Sequence, residues 1–173
     1  FNGDTLEAFV KFTGGKYAKY IAIEADEGSY KDLNQKILAK GFKNVETHNV
    51  ACWNERTVLK FAPAQTAGHI TENGVISVQA DTLDRLLEND KVTFVKMDIE
   101  GAEEMALKGA CRIIKECKPT LAICLYHSLE DFYKLPLLIK EFNQDYDLYI
   151  RHYTEMVDQE TVCYAIPKGK NVS

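Results

Sequence analysis

Short apolar runs separated by helix-forming segments limit most strongly how this chain can fold. Three of these runs are four to seven residues long and hold few charges: Tyr20–Ile23, Val92–Met97 and Thr120–Tyr126. Such runs are typical of strands that are covered on both faces of a parallel sheet. Segments with helical spacing, such as Thr5–Phe12 and Glu103–Glu116, lie between them. The alternation predicts an α/β fold with a doubly wound, mostly parallel sheet.

Two pairs of predicted strands interrupt this alternation, because no helical segment lies between their members. The first pair is Thr57–Phe61 with Val75–Val78, and the second is Tyr146–His152 with Thr161–Ile166. Strands that follow each other without a crossover helix pair antiparallel. We therefore expect a single domain over residues 1–173 whose sheet carries an antiparallel C-terminal strand pair.

Composition excludes several classes of protein. A hydrophobic content of 46% with 27% charged residues is that of a globular domain and not of a disordered chain. No apolar run approaches the ~20 residues that a transmembrane helix needs. The net charge of −5 disfavours bulk binding to nucleic acid or to anionic membranes. We expect neither as a partner, and the sequence indicates no oligomeric state.

The five cysteines are odd in number, widely spaced and free of any C-x-x-C pattern. Most lie among apolar neighbours, which is typical of buried free thiols in a reducing compartment. The sequence therefore predicts a cytoplasmic protein without disulfides.

Polar side chains follow four predicted strands at the point where each strand ends. Glu24 follows the first predicted strand, and Asn49 lies near the end of the next one, Val45–Cys52. Asp98 and Glu100 follow the strand that ends at Met97, and His127 follows the strand that ends at Tyr126. In open parallel sheets, ligands bind beyond the carboxyl ends of the strands. The spacing predicts that these side chains line one crevice.

Each of these residues also has a purely structural interpretation. Glu24 could accept hydrogen bonds from two ribose hydroxyls, or it could be a solvated acid near a helix start. Asp98 ends a buried strand, where a carboxylate needs a partner. Glu103 is expected only to cap the helix that begins after Gly101. Taken alone, His127 fits a structural role. Its position at the same edge of the sheet as Asp98 favours a functional role instead.

Motifs of other catalytic classes are absent from the sequence. It contains no Walker sequence, no G-x-S-x-G elbow and no zinc-ligand spacing. The four histidines are single and scattered, so no histidine-rich metal site is predicted.

The block Phe94–Glu103, followed by Leu107–Ala110, resembles the signature of the FkbM-type methyltransferases, which use S-adenosylmethionine. The likeness covers nearly the whole chain. Further similar blocks are Gly3–Thr5, Ile23–Asp26, Val50–Glu55, Asp81–Asp84, Leu125–Ser128 and Tyr149–Tyr153.

The resemblance implies a Rossmann-like class I methyltransferase domain and a role for each matching residue. Gly3 and Asp4 would end the glycine-rich loop that faces the methionine part of the cofactor. Glu24 would hold the ribose hydroxyls, and Asn49 or Val50 would border the adenine. Asp98 would lie beside the cofactor's amino acid end, and Glu100 and His127 would line the acceptor side. The family's first strand and first loop glycines are expected to precede Phe1.

The family is associated mainly with O-methylation of sugars and natural products, so a small hydroxylated acceptor is implied. Removing the proton of a hydroxyl needs a base, and His127 has a suitable ordinary pKa. Asp98 or Glu100 would orient His127 or polarise the acceptor. The alternative is a divalent cation held by these two carboxylates.

Two other functions stay open at this point. A nicotinamide-dependent oxidoreductase would also use an acid such as Glu24, but its G-x-G-x-x-G pattern is not visible. A methyltransferase-like scaffold without cofactor affinity is the non-enzymatic alternative.

Overall fold

The computed structural model of the chain describes residues 3–62, 68–155 and 160–169. The helices are α1 (Asp4–Thr13), α2 (Glu27–Lys40), α3 (Leu83–Leu86), α4 (Glu103–Lys108) and α5 (Asp131–Phe142), with a π-helical turn at Ile113–Cys117. The strands are β1 (Tyr20–Ile23), β2 (Val45–His48), β3 (Ala51–Cys52), β4 (Thr57–Ala62), β5 (His69–Ile70), β6 (Ile76–Asp81), β7 (Phe94–Met97), β8 (Thr120–Cys124), β9 (Tyr146–His152) and β10 (Thr161–Pro167).

The chain divides into two compact units. The first contains Phe1–Cys52 and Thr57–Ala80, and the second contains Trp53–Arg56 and Asp81–Ser173. The single domain expected over residues 1–173 stays a prediction.

The strands of the first unit form two small sheets. β1 and β2 are parallel, with Tyr20 opposite Val45 and Ile23 opposite His48. The other sheet has the order β3-β6-β4-β5, and β4 is antiparallel to both β5 and β6. The antiparallel pairing expected for the two strands of this hairpin is thus confirmed. Its predicted link includes residues 63–67, which lie outside the described residues.

The second unit contains a four-stranded sheet of order β7-β8-β10-β9. β7 and β8 are parallel, whereas β10 is antiparallel to both β8 and β9. The expected antiparallel C-terminal pair is therefore present, although residues 156–159 of its link are not described. The core of this unit lies around β8, α4 and α5, where Ile123, Leu107 and Leu135 are fully buried.

The doubly wound, mostly parallel sheet predicted from the sequence is not confirmed, because the sheets are mixed. Two of the three strands predicted to be covered on both faces are also less buried than expected. All four residues of β1 are only half-buried, and Phe94 at the start of β7 is 50% exposed. In β8, by contrast, four of the five residues are buried. Full coverage of both faces was therefore a correct expectation for β8 alone among these three strands.

The helix predicted at Glu103–Glu116 ends early, at Lys108. The carbonyl of Gly109 accepts a hydrogen bond from the Asp84 N–H at 2.9 Å instead of continuing the helix. The Asp84 carboxylate then accepts the N–H groups of Arg112 and Ile113 at 2.8 and 2.9 Å. Asp84 thus interrupts one helix and caps the π-helical turn that follows.

The first two helices begin with different capping. α1 begins after Gly3, with no side-chain cap, and Glu7 pairs instead with Lys36 and Lys40. α2 is capped by Asp26, whose carboxylate accepts the Ser29 N–H at 2.8 Å.

All five cysteines are free, as the sequence predicted. Burial raises the pKa of the Cys163 thiol to about 11, so this thiol stays protonated and unreactive at neutral pH. Within the described residues, no helix combines the length and apolar character needed to cross a membrane.

Candidate functional site

The carboxyl ends of β1 and β2 bring together two of the predicted cofactor-binding residues. Glu24 follows β1, and its carboxylate accepts the Asp26 N–H at 2.9 Å. Asn49 follows β2, and its side-chain amide donates to the carbonyls of Glu24 and Ala25 at 2.9 and 3.2 Å. These contacts join the two strand ends and hold the Glu24 carboxylate beyond the sheet. Val50, the next residue, is half-buried.

Gly3 and Asp4 lie at the start of α1, in the same unit. Gly3 has a φ of 82°, and a Cβ there would lie 3.0 Å from Leu33 Cδ1. The position therefore favours glycine on both conformational and packing grounds. Asp4 accepts the Thr5 N–H at 2.8 Å and is exposed. Its charge adds to the effect of burial in raising the pKa of Tyr20.

The second unit carries the predicted acceptor-side residues on the loop between β7 and α4 and after β8. Asp98 directly follows β7, and both of its carboxylate oxygens are engaged. The Tyr126 hydroxyl donates to Oδ1 at 2.7 Å, and Lys96 Nζ lies 3.1 Å from Oδ2. Burial alone would raise the pKa of Asp98, but the Tyr126 hydrogen bond and the Lys96 charge together lower it. Asp98 is therefore a stable carboxylate.

The loop after Asp98 has an unusual backbone. Glu100 and Gly101 both have positive φ angles, 58° and 90°. A non-glycine residue pays a conformational cost there, so the surrounding structure must favour the bend. The Glu103 carboxylate supplies that support, since it accepts the N–H groups of Ile99 at 2.7 Å and Gly101 at 3.0 Å.

His127 lies among three carboxylates. Its Nε2 is 3.5 Å from Asp98 Oδ1 and 3.5 Å from Glu100 Oε2, and its Nδ1 is 3.1 Å from Glu103 Oε1. The side chain is 9% exposed, and neither ring nitrogen makes a well-directed hydrogen bond. Burial would lower the pKa of His127, but the carboxylates raise it overall, led by Glu103. The site therefore favours the charged imidazolium.

Asp131, at the start of α5, faces the same ring from another side. Its carboxylate accepts the Ser128 N–H at 2.9 Å. Burial raises the pKa of Asp131, and the nearby Glu103 charge adds to this. Asp131 thus protonates more readily than an ordinary aspartate.

Chemically, the cluster can exchange a proton at His127 or attract a cation. Ligand atoms of Asp98, Glu100 and His127 lie within 4.8 Å of one another, as do those of Glu103, His127 and Asp131. Either group could hold a metal ion. Lys96, already paired with Asp98, opposes a second cation at that carboxylate.

The structure thus brings the predicted residues together in two sets. Glu24 and Asn49 meet in the first unit, and Asp98, Glu100 and His127 meet in the second. The sequence did not identify Glu103, Lys96 or Tyr126 as parts of the site. An acid in the first turn that reaches back to preceding N–H groups, as in a capping box, would have indicated Glu103. Side-chain alternation along a strand places Lys96 on the same side as Asp98.

Comparison with known proteins gives one family and two solved structures. The family model described as the methyltransferase FkbM domain matches residues 2–155. No curated protein matches the chain significantly.

Both solved structures are named as methylating enzymes. One is a methyltransferase FkbM from Methylobacillus flagellatus KT, with a TM-score of 0.80 and 28% identity over 95% of this chain. This chain spans only 40% of that protein's chain. The other is an rRNA methylase from Streptococcus thermophilus, with a TM-score of 0.57 and 16% identity, covering 96% of this chain and 81% of that one. At that identity the second likeness concerns the fold alone.

Proposed function

We propose that this chain, which belongs to the methyltransferase FkbM domain family, transfers a methyl group from S-adenosylmethionine to a hydroxyl group of a small molecule such as a sugar. One observation carries the catalytic part of the proposal. The buried ring of His127 places Nε2 at 3.5 Å from both Asp98 and Glu100. Both carboxylates belong to the block that resembles the family's signature. The net charge of −5 favours a small acceptor over nucleic acid.

The residues of the first unit fit the implied cofactor. Glu24 offers a carboxylate, anchored by the Asp26 N–H, that suits two ribose hydroxyls. In the proposal, Gly3 and Asp4 bind the methionine part, Glu24 the ribose, and Asn49 and Val50 the adenine. Asp98 is assigned to the cofactor's amino acid end by the family resemblance.

When bound, the cofactor supplies an electrophilic methyl group on a sulfonium. The protein must align the acceptor and take up the hydroxyl proton. His127 Nε2 is the proposed proton acceptor, and Asp98 and Glu100 stabilise the imidazolium that forms. Because their charges raise the pKa of His127, the neutral base is scarce at low pH. The rate should therefore rise with pH.

Two alternatives are less well supported. The family favours a methyltransferase over a nicotinamide-dependent oxidoreductase. A divalent cation on Asp98 and Glu100 is opposed by Lys96 and Tyr126, which already engage both oxygens of Asp98.

Five free cysteines fit a reducing, cytoplasmic location for the enzyme.

Calorimetry on the full-length protein tests the cofactor, with S-adenosylmethionine, S-adenosylhomocysteine and NAD as ligands. We expect both adenosyl ligands to bind and NAD not to bind. Mass spectrometry on a panel of sugars and other hydroxylated small molecules then tests transfer, with an expected mass gain of one methyl group. Absence of adenosyl ligand binding would support the scaffold, and binding of NAD alone would support the oxidoreductase.

A further inference from the structure

We propose that Glu103 is a positioning residue, which holds the ring of His127 and the loop carrying Asp98 and Glu100 in the arrangement required for proton transfer. The chemistry of this inference rests on the proposed function. Its structural content, the control of the His127 ring by Glu103, does not.

The environment of Glu103 shows that its side chain is fixed. It is 1% exposed, which is costly for a carboxylate unless its oxygens are paired. Oε1 accepts the Ile99 N–H and lies 3.1 Å from His127 Nδ1. Oε2 accepts the Gly101 N–H. Both oxygens are therefore committed to the loop and to the imidazole, which is more than capping the helix requires.

The contact at Nδ1 determines how His127 can work. A carboxylate beside one ring nitrogen favours the neutral tautomer that carries its proton on that nitrogen. Carboxylates lie beside both ring nitrogens, but the Glu103 contact to Nδ1, at 3.1 Å, is shorter than the two 3.5 Å contacts to Nε2. We therefore expect the proton of the neutral ring on Nδ1, which leaves Nε2 as the basic atom. Nε2 is the nitrogen that faces Asp98 and Glu100, at 3.5 Å from each. Glu103 therefore directs the basic atom of His127 toward the acceptor-side carboxylates.

The contacts to the backbone determine where those carboxylates lie. Glu100 and Gly101 form a bend of two consecutive positive φ angles. Glu103 accepts the N–H of Gly101 within this bend and the N–H of Ile99 just before it. Without this acceptor, two N–H groups lose their partner and the bend loses its support. One side chain thus fixes both partners of His127 Nε2.

Several charged groups face His127, and Glu103 is the nearest. Asp98 and Glu100 face the ring from the loop, Glu103 from α4 and Asp131 from α5. The Tyr126 ring packs against the His127 ring in a tilted arrangement, with the ring centroids 4.4 Å apart. Lys96 on β7 is paired with Asp98. Replacement of Glu103 leaves the other carboxylates in place. The titration of His127 should therefore shift downward and not disappear.

The test is NMR titration of the His127 ring nitrogens in the full-length protein, together with steady-state kinetics over pH. Glu103→Gln keeps the shape of the side chain and removes its charge, whereas Glu103→Asp keeps the charge on a shorter arm. Glu104→Gln is the matched control, because the neighbouring Glu104 is half-exposed and pairs with Lys108 at 2.6 Å.

In Glu103→Gln we expect a lower His127 titration midpoint and a kcat about 10- to 100-fold below wild type. The rise of kcat with increasing pH should occur at a lower pH than in wild type. KM and cofactor affinity should change little. Glu103→Asp should recover part of the midpoint, and Glu104→Gln should match wild type.

The wild-type spectrum alone can overturn the inference. Neutral His127 should carry its proton on Nδ1, and a proton on Nε2 would contradict the role of Glu103 even if Glu103→Gln failed to fold. A folded Glu103→Gln with an unmoved midpoint would contradict it as well. A lowered midpoint in a protein that binds no adenosyl ligand would sustain the positioning role while refuting the proposed function.

Discussion

The Tyr126 hydroxyl donates a 2.7 Å hydrogen bond to Asp98 Oδ1, on the same oxygen that faces His127 Nε2. The phenol joins the end of β8 to the end of β7, two parallel neighbours in the sheet. Burial and the Asp98 charge both raise the pKa of Tyr126, so the phenol stays a donor at every physiological pH. Asp98 is thereby held as an anion beside the imidazole.

Tyr126→Phe should weaken this arrangement without opening a large cavity. We expect the free energy of unfolding at pH 7 to fall by about 1.5–3 kcal/mol, the value of a hydrogen bond to a charged group. The pKa of Asp98 is lowered in the fold, so its contribution to stability is present above its ordinary pKa and is lost as pH falls through the lowered value. Urea unfolding at neutral and acidic pH measures both. Tyr133→Phe, at a position 54% exposed, is the control.

An equal loss for Tyr126→Phe at neutral pH and at the lowest pH where the protein stays folded would contradict this account. It would show that the hydroxyl acts through packing and not through the charge of Asp98.

His127→Ala should remove the proton acceptor while leaving the cofactor residues of the first unit unchanged. We expect kcat to fall about 10²- to 10⁴-fold and affinity for S-adenosylhomocysteine to stay near wild type. The wild-type rate should rise with pH through the raised pKa of His127, and the variant should lose that dependence. Methyl-transfer assays over pH provide the measurement, with exposed His69→Ala as control. Retention of the wild-type profile by His127→Ala would exclude His127 as the base.

Local patterns explain why part of this molecule could be predicted from its sequence. Strand β1 and the final antiparallel pair depend on neighbouring residues, and the structure contains both, although β1 is only half-buried. Asp98, Glu100 and His127 could be grouped because strand ends converge in a sheet. In the second unit these three side chains lie together, with His127 Nε2 at 3.5 Å from both carboxylates.

Contacts between residues far apart in the chain explain what the sequence could not show. The helix predicted at Glu103–Glu116 is interrupted by Asp84, which lies 28 residues before Arg112. The role of Glu103 depends on His127, which local spacing does not bring near it. Strand direction likewise depends on pairing, and the mixed sheet of the second unit follows from the insertion of β10 between β8 and β9.

Glu24→Gln tests the assignment of the ribose. Loss of the charge weakens hydrogen bonds that the carboxylate would accept from hydroxyl groups, each worth about 1.5–3 kcal/mol. We expect the Kd of S-adenosylhomocysteine to rise about 10- to 100-fold in calorimetry. Glu27→Gln is the control, because Glu27 is 70% exposed and pairs with Lys31 on the surface of α2. Equal affinity in the two variants would remove Glu24 from the cofactor site.

Gly109→Ala tests the packing at the end of α4 in the second unit. A Cβ at Gly109 would overlap the carbonyl oxygen of Trp53, a backbone atom that cannot turn aside. We expect a loss of at least about 3 kcal/mol in the free energy of unfolding. At Gly14 a Cβ meets open space, and the cost should be only the ~1 kcal/mol of its positive φ. Urea denaturation of both variants measures the difference, and equal losses would contradict the close contact at Gly109.

Removal of divalent cations separates proton transfer by His127 from metal-assisted transfer. A cation shared by Asp98, Glu100 and His127 would compete with Lys96 Nζ, 3.1 Å from Asp98, and with the proton that the carboxylates hold on the ring. We therefore expect EDTA to leave methyl transfer by the full-length enzyme unchanged, and added Mg²⁺ or Mn²⁺ to give no increase. Lys96→Met removes the ammonium that competes with a cation at Asp98. If EDTA leaves methyl transfer by this variant unchanged as well, the case against a metal ion is stronger. Activity that is lost with EDTA and restored by Mg²⁺ would instead assign the three side chains to a metal ion and exclude His127 as the base.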